Sequence, residues 1–159
     1  MDLEVLPGRY AVCRLQPEAV QPIWARQPSG LELLSVTWSE NELSVVCPEE
    51  RVPNGTPSER SFTAMRVRGT LDLTLTGILH SLTTPLNLER VPVFAISTND
   101  TDYLLLRVED VERGVAALLA AGHRIAPVGR TEDWHELLGI QGSPVTRAAP
   151  PPPDRATAV

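Results

Sequence analysis

The chain has 159 residues, 42% of them apolar and 21% charged, the composition of one folded domain or of two small ones sharing a core. Its net charge of −6, pI near 5.0 and lack of a basic face exclude a nucleic-acid backbone as partner, and the absence of any Lys among its 14 basic residues excludes Schiff-base, pyridoxal-phosphate and Walker-type phosphate-loop chemistry. No apolar run approaches the roughly 20 residues of a bilayer span, and the opening MDLEVLPGRY lacks a secretory-signal pattern, so no membrane partner and a cytoplasmic location are expected.

Residues 9–15 read as a first strand that Gln16-Pro17 ends, and Pro17 at a helix start predicts a short helix over 18–25, limited by Pro22 and Pro28. Residues 31–37 and 42–46 alternate as a strand hairpin. Residues 48–59, with Pro53, Asn54-Gly55 and Pro57, read as a loop standing where a full second helix would belong. The first half is therefore β-α-β-β with a stunted end.

The second half is more complete. A strand over 62–69 and a loop lead into a helix in which Leu75, Ile78, Leu79, Leu82 and Leu86 recur at helical spacing, with Pro85 expected to kink or shorten it. Strands over 91–98 and 103–108 flank the turn-forming Asn99-Asp100. Asp110 is expected to cap a helix striped by Val111, Val115, Leu118 and Leu119 and closed by Gly122, before a last strand over 123–127. The order is β-α-β-β-α-β, the split βαβ arrangement. Residues 133–138 fit one helical turn, and 143–159, with four consecutive prolines, fit a disordered tail.

Shifting the sequence by sixty residues lays Val36–Leu43 on Ile96–Tyr103 and continues without a gap to Glu109-Asp110. The matched order of apolar, hydroxyl and acidic positions reads as a degenerate duplication; two unrelated hairpins are the alternative. The division expected from this is a degenerate first repeat over 1–60, a second over 61–128, and a partly disordered tail over 129–159.

Cys13 and Cys47 lack the paired short spacings of a zinc site and fall in apolar strands, as buried reduced thiols do. His80, His123 and His135 have no metal spacing. His80 falls on the exposed helix face, and His123 follows a helix C-terminus, where the dipole favours a cation.

The β-α-β-β-α-β order, Gly77 in LTLTGILHSLTTPL and the strand leading into IST..TDY.LL resemble the ACT domain family of small-molecule regulatory modules. More narrowly, YAVCRL, SVTWSENELSVVCPEE and FAISTNDTDYLLLRVEDVERGVAALLAAGH look like the tandem ACT branch that includes bacterial ACT-domain proteins and the CASTOR-type arginine sensors. The resemblance implies an α+β fold of two ACT-like, ferredoxin-like units side by side, the first truncated, with antiparallel sheets covered by helices. It also implies that Cys13 and Cys47 lie on adjacent strands and that amino acids bind at the interface between units. In the arginine-binding relatives an acidic residue near this helix start is implied to face the guanidinium. Thr74 stands nearest that place here, with Asp72 displaced, which speaks against arginine.

The same region suits a ligand on physical grounds. A helix N-terminus offers free amides and a positive dipole end to a carboxylate, and a glycine permits close approach. The candidate ligand-binding residues are Thr70, Leu71, Asp72, Thr74, Thr76, Gly77, Ser97 and Thr98. For each, capping, packing or a solvated turn is the structural alternative. No nucleophile elbow or acid pair is visible, so the expectation is a non-catalytic amino-acid-binding regulatory module without cofactor or metal, acting as a homodimer. A ligand-free protein-interaction module, using Glu40, Glu42, Glu49 and Glu50, or a small enzyme are the competing classes.

Overall fold

The computed structural model describes residues 1–26 and 30–128, so the expectations for 129–159 lie outside the described residues. Eight strands and two helices follow one another as β1 (Asp2–Val5), β2 (Tyr10–Leu15), β3 (Ser35–Trp38), β4 (Leu43–Pro48), β5 (Ser58–Val67), α1 (Ile78–Leu88), β6 (Phe94–Ser97), β7 (Asp102–Arg107), α2 (Val111–Ala120) and β8 (Arg124–Pro127). The fold is α+β, as expected of ferredoxin-like units.

All strands join one sheet, centred on β5. Its first half pairs with β2 and its second half with β1, both antiparallel, while β7 pairs along its other edge and carries β6. The switch of partner occurs at a bulge beside Ser61, whose φ of 63° is left-handed and whose amide donates to the Glu49 carboxylate at 2.8 Å. The outer strands are β3, next to β4, β6, next to β7, and β8, which runs parallel to β1.

Strand β1 is a departure from expectation, because the first strand was placed at residue 9. It lies between β5 and β8, and ion pairs across its registers, Glu4 to Arg66 at 2.9 Å and Asp2 to Arg124 at 2.6 Å, fix it there. The antiparallel sheet of the expectation is therefore mixed. The helix predicted over 18–25 is only a 3₁₀ turn, Ile23–Ala25: Pro22 lacks the amide that the interior of an α-helix needs. Strand β5 begins four residues before the expected start, inside the predicted loop.

Period-two alternation sorts the core. Leu104 and Leu106 of β7 face the helices, with Met65, Val67, Leu82, Leu86, Val115 and Leu118, whereas Leu105 packs on the opposite face with Tyr10, Phe62 and Ala64. A third cluster holds Ala11, Cys13, Val45 and Cys47. The two cysteines are buried and unbridged on the adjacent strands β2 and β4. They stand diagonally across the ladder. A hydrogen bond with the Cys13 thiol, and then burial, push the Cys47 thiol well above its ordinary range, so it stays protonated.

Helix α1 continues through Pro85. Gly114 of α2 meets it closely: a Cβ there would lie 2.6 Å from Leu106 Cδ1 and 3.3 Å from Leu86 Cδ2. Asp110 does not cap α2 with its side chain; its Oδ1 accepts instead from Arg113 at 2.5 Å. Among the described residues no helix is long and apolar enough to cross a membrane.

Candidate functional site

An open cleft of ≈ 360 Å³ lies where the loop before α1 meets the β6–β7 turn. Two backbone-directed bonds hold these segments together. The Leu71 amide donates to the Asp100 carbonyl at 2.7 Å, and Thr101 Oγ1, buried, donates to the Val67 carbonyl at 2.7 Å. The turn is closed by Thr98, whose amide and hydroxyl both donate to the Thr101 carbonyl at 2.9 Å.

Helix α1 starts into this cleft without a side-chain cap. Gly77 occupies the N-cap position with φ 80° and ψ 5°, and a Cβ there would meet nothing within 4 Å. The glycine is required by its left-handed backbone rather than by a close neighbour. The amides of Ile78, Leu79 and His80 occupy the first turn, where no intrahelical acceptor exists, and they carry the positive end of the helix dipole.

A buried carboxylate lines the same cleft. Asp102 is 9% exposed, and its Oδ1 accepts from Ser97 Oγ at 2.6 Å. No other donor reaches that side chain among the described residues. Taking a carboxylate out of water with one neutral hydrogen bond is costly, and a cation or further donor at Oδ2 would offset it. Asp102 shares its sheet face with Leu104 and Leu106, the face on which α1 packs.

Asp72 is engaged differently. Its Oδ1 accepts from the amide and the hydroxyl of Thr74, both at 2.8 Å, and these bonds hold its carboxyl below the usual carboxylate range. A second cleft, lined by Arg9, Glu49, Glu50, Val52, Asn54 and Arg60, has its charges turned inward. Arg60 donates to the carbonyls of Glu49, Val52 and Pro53, and Arg9 to Thr63 Oγ1.

A family model described as the ACT domain matches residues 58–120, and one described as an N-terminal domain matches residues 8–55. The crystal structure of protein Atu0741 from Agobacterium tumefaciens is 30% identical, with a TM-score of 0.74, covering 82% of this chain and 96% of that one. The chain carries an ACT domain behind an N-terminal domain. More distant folds similar to this ACT-domain protein include VC0802 from Vibrio cholerae, described as a possible transport protein, at 18% identity and TM-score 0.60 over 76% of this chain and 88% of that one. Another is the ligand-free regulatory subunit of aspartate kinase from Thermus thermophilus, at 6% identity and TM-score 0.53 over 75% and 96%. No curated protein matched.

Of the eight residues singled out in the sequence, Leu71, Asp72, Gly77, Ser97 and Thr98 line the cleft of the ACT domain, and Thr70, Thr74 and Thr76 do not. The hydroxyls of Ser97 and Thr98, expected to meet a ligand, are committed to Asp102 and to the turn. Asp102 was not among those eight residues. Its alternation with Leu104 and Leu106 was the signal that places it on the inward face.

Proposed function

We propose that this ACT-domain protein is a non-catalytic regulatory module that binds one free amino acid in the cleft between Leu71–His80 and Ser97–Asp102. The observation that carries the reading is the buried Asp102 carboxylate, short of donors, in the same cleft as the uncapped start of α1. The two ends have opposite polarity. The ammonium of a zwitterion suits Asp102 Oδ2, and its carboxylate suits the first-turn amides. The aspartate kinase regulatory subunit with a similar fold lends support to a regulatory role. Kinship with the CASTOR-type sensors, carried by the motif around Ser97 and Asp102, belongs to this reading. An arginine ligand does not, because Asp72, the carboxylate left for its guanidinium, is exposed and therefore screened.

Regulation requires the ligand to favour one arrangement over another. The open outer edge of β6, which pairs only with β7, offers a second copy a place to dock beside the cleft, so the module is proposed to act as a homodimer.

Titration calorimetry tests the site. The tightest-binding amino acid, its deaminated acid and its decarboxylated amine should be compared on the intact chain and on Asp102→Asn. Loss of either charged group should weaken binding at least ~10-fold, and Asp102→Asn should erase the advantage of the amino acid over its deaminated acid. Equal binding of the amino acid and the deaminated acid to the intact chain would refute the role given to Asp102.

A further inference from the structure

We infer that the amino acid this cleft accepts carries an apolar side chain, of the size of leucine or methionine, seated against Leu73 and Leu75; the inference rests on the amino-acid reading above. Both leucines belong to the loop that leads into α1 and both line the cleft, yet Leu73 is 76% and Leu75 53% exposed. Leu75 would have been the first residue of the buried stripe of α1, but the helix starts at Ile78, so the side chain is left at the cleft instead of under the helix. The loop is not free to fold them away. Asp72 holds Thr74 by two hydrogen bonds, its carbonyl accepts from the Leu75 amide at 2.9 Å, and Leu71 is tied to Asp100.

Charge in the cleft points the same way. No Arg lines it, and of its two carboxylates Asp72 stands exposed in water while Asp102 faces the proposed ammonium. A guanidinium or lysine side chain meets only Asp72 and an acidic one only His80, both exposed and therefore screened. With Leu71, Ile78 and Leu79 beside the two exposed leucines, the part of the lining not committed to the zwitterion is apolar. A volume of ≈ 360 Å³ is near the lower limit of ligand sites, about 300–1,000 Å³, which suits a single amino acid.

Selectivity tests this by calorimetry on the full chain with L-leucine, L-methionine, glycine, L-arginine and L-aspartate. Leucine or methionine should bind at least ~10-fold more tightly than the other three, and the double variant Leu73→Ser, Leu75→Ser should reduce that preference about tenfold. Both leucines are exposed, so the fold survives their replacement, which circular dichroism checks. If arginine or aspartate binds as tightly as leucine and Asp102→Asn abolishes it, the side-chain class is wrong and the amino-acid reading stands. If no amino acid binds at millimolar concentration, both are wrong. If the double variant keeps its leucine affinity but shifts the sedimentation of an assembly, the leucines belong to a contact between copies and the inference fails.

Discussion

His123 Nε2 donates a hydrogen bond to the Ser81 carbonyl oxygen at 3.1 Å, and Ser81 is the residue whose helical acceptor role Pro85 leaves unfilled. In an α-helix the amide four residues on would take that carbonyl; proline has none. A carbonyl can only accept, so Nε2 carries the proton, and Nδ1 accepts from the Met1 amine at 3.2 Å. The sequence placed His123 just after a helix C-terminus, and it does follow α2. It is also buried, as the partner that lets α1 run unbroken through Pro85. His123→Ala should cost ~1–3 kcal/mol in denaturant unfolding, the penalty of an orphaned buried carbonyl. In a Pro85→Ala background, where residue 85 regains an amide, the same substitution should cost clearly less.

Gly114 is a packing glycine. Its neighbours Leu106 and Leu86 are fully buried, so Gly114→Val must displace core side chains and should destabilise the protein by about 1–3 kcal/mol. Gly77→Ala, with open space around it, should cost ~1–2 kcal/mol through its left-handed backbone alone. Comparing the two melts separates packing from conformation.

The Asp72 carboxyl is held below the usual range by the Thr74 amide and hydroxyl. A depressed folded-state pKa contributes order that is present above the ordinary Asp range and lost as pH falls through the lowered value. The loop before α1 should therefore keep this turn at neutral pH and release it only in strong acid. In a carbon-detected NMR titration, Thr74→Val should raise the Asp72 midpoint by removing one donor; an unmoved midpoint would contradict the assignment.

Much of the fold was legible because strand and helix periods are strong signals where a segment is buried, as in β4, β7 and α2. The N-terminal strand β1 was not, since four residues alternating between the two faces carry little signal without the β5 and β8 partners that give them a place. The site was half legible, for a reason of register. The two hairpins correspond at fifty-nine residues, not sixty: Ser35–Trp38 with Phe94–Ser97, Leu43–Pro48 with Asp102–Arg107, and the turn Glu49–Arg51 with Val108–Asp110. A one-residue slip exchanges the faces of every strand residue. At sixty, Asp102 aligns with the charged, half-buried Glu42; at fifty-nine it aligns with Leu43, which is wholly buried.

That correspondence limits the number of sites. Where the second hairpin has Asp102 beside an eleven-residue helix, the first has Leu43 and a three-residue 3₁₀ turn. Calorimetric titration should give one amino acid per chain; two equivalent sites per chain would contradict the assignment to the second hairpin.

Strand β5 ties the halves together, because its first half pairs with β2 and its second with β1. A fragment ending at residue 60 loses most of that strand and the helix layer, and should show no cooperative melt, whereas the full chain should.

The most direct measurement of the central claim is the thermal unfolding of the full chain in the presence of each of the twenty amino acids. An amino acid at 100 times its dissociation constant should add ~2.7 kcal/mol to folding stability and raise the melting temperature. The account predicts such a shift with at least one apolar amino acid and its loss in Asp102→Asn; melting curves unmoved by all twenty at millimolar concentration would contradict it.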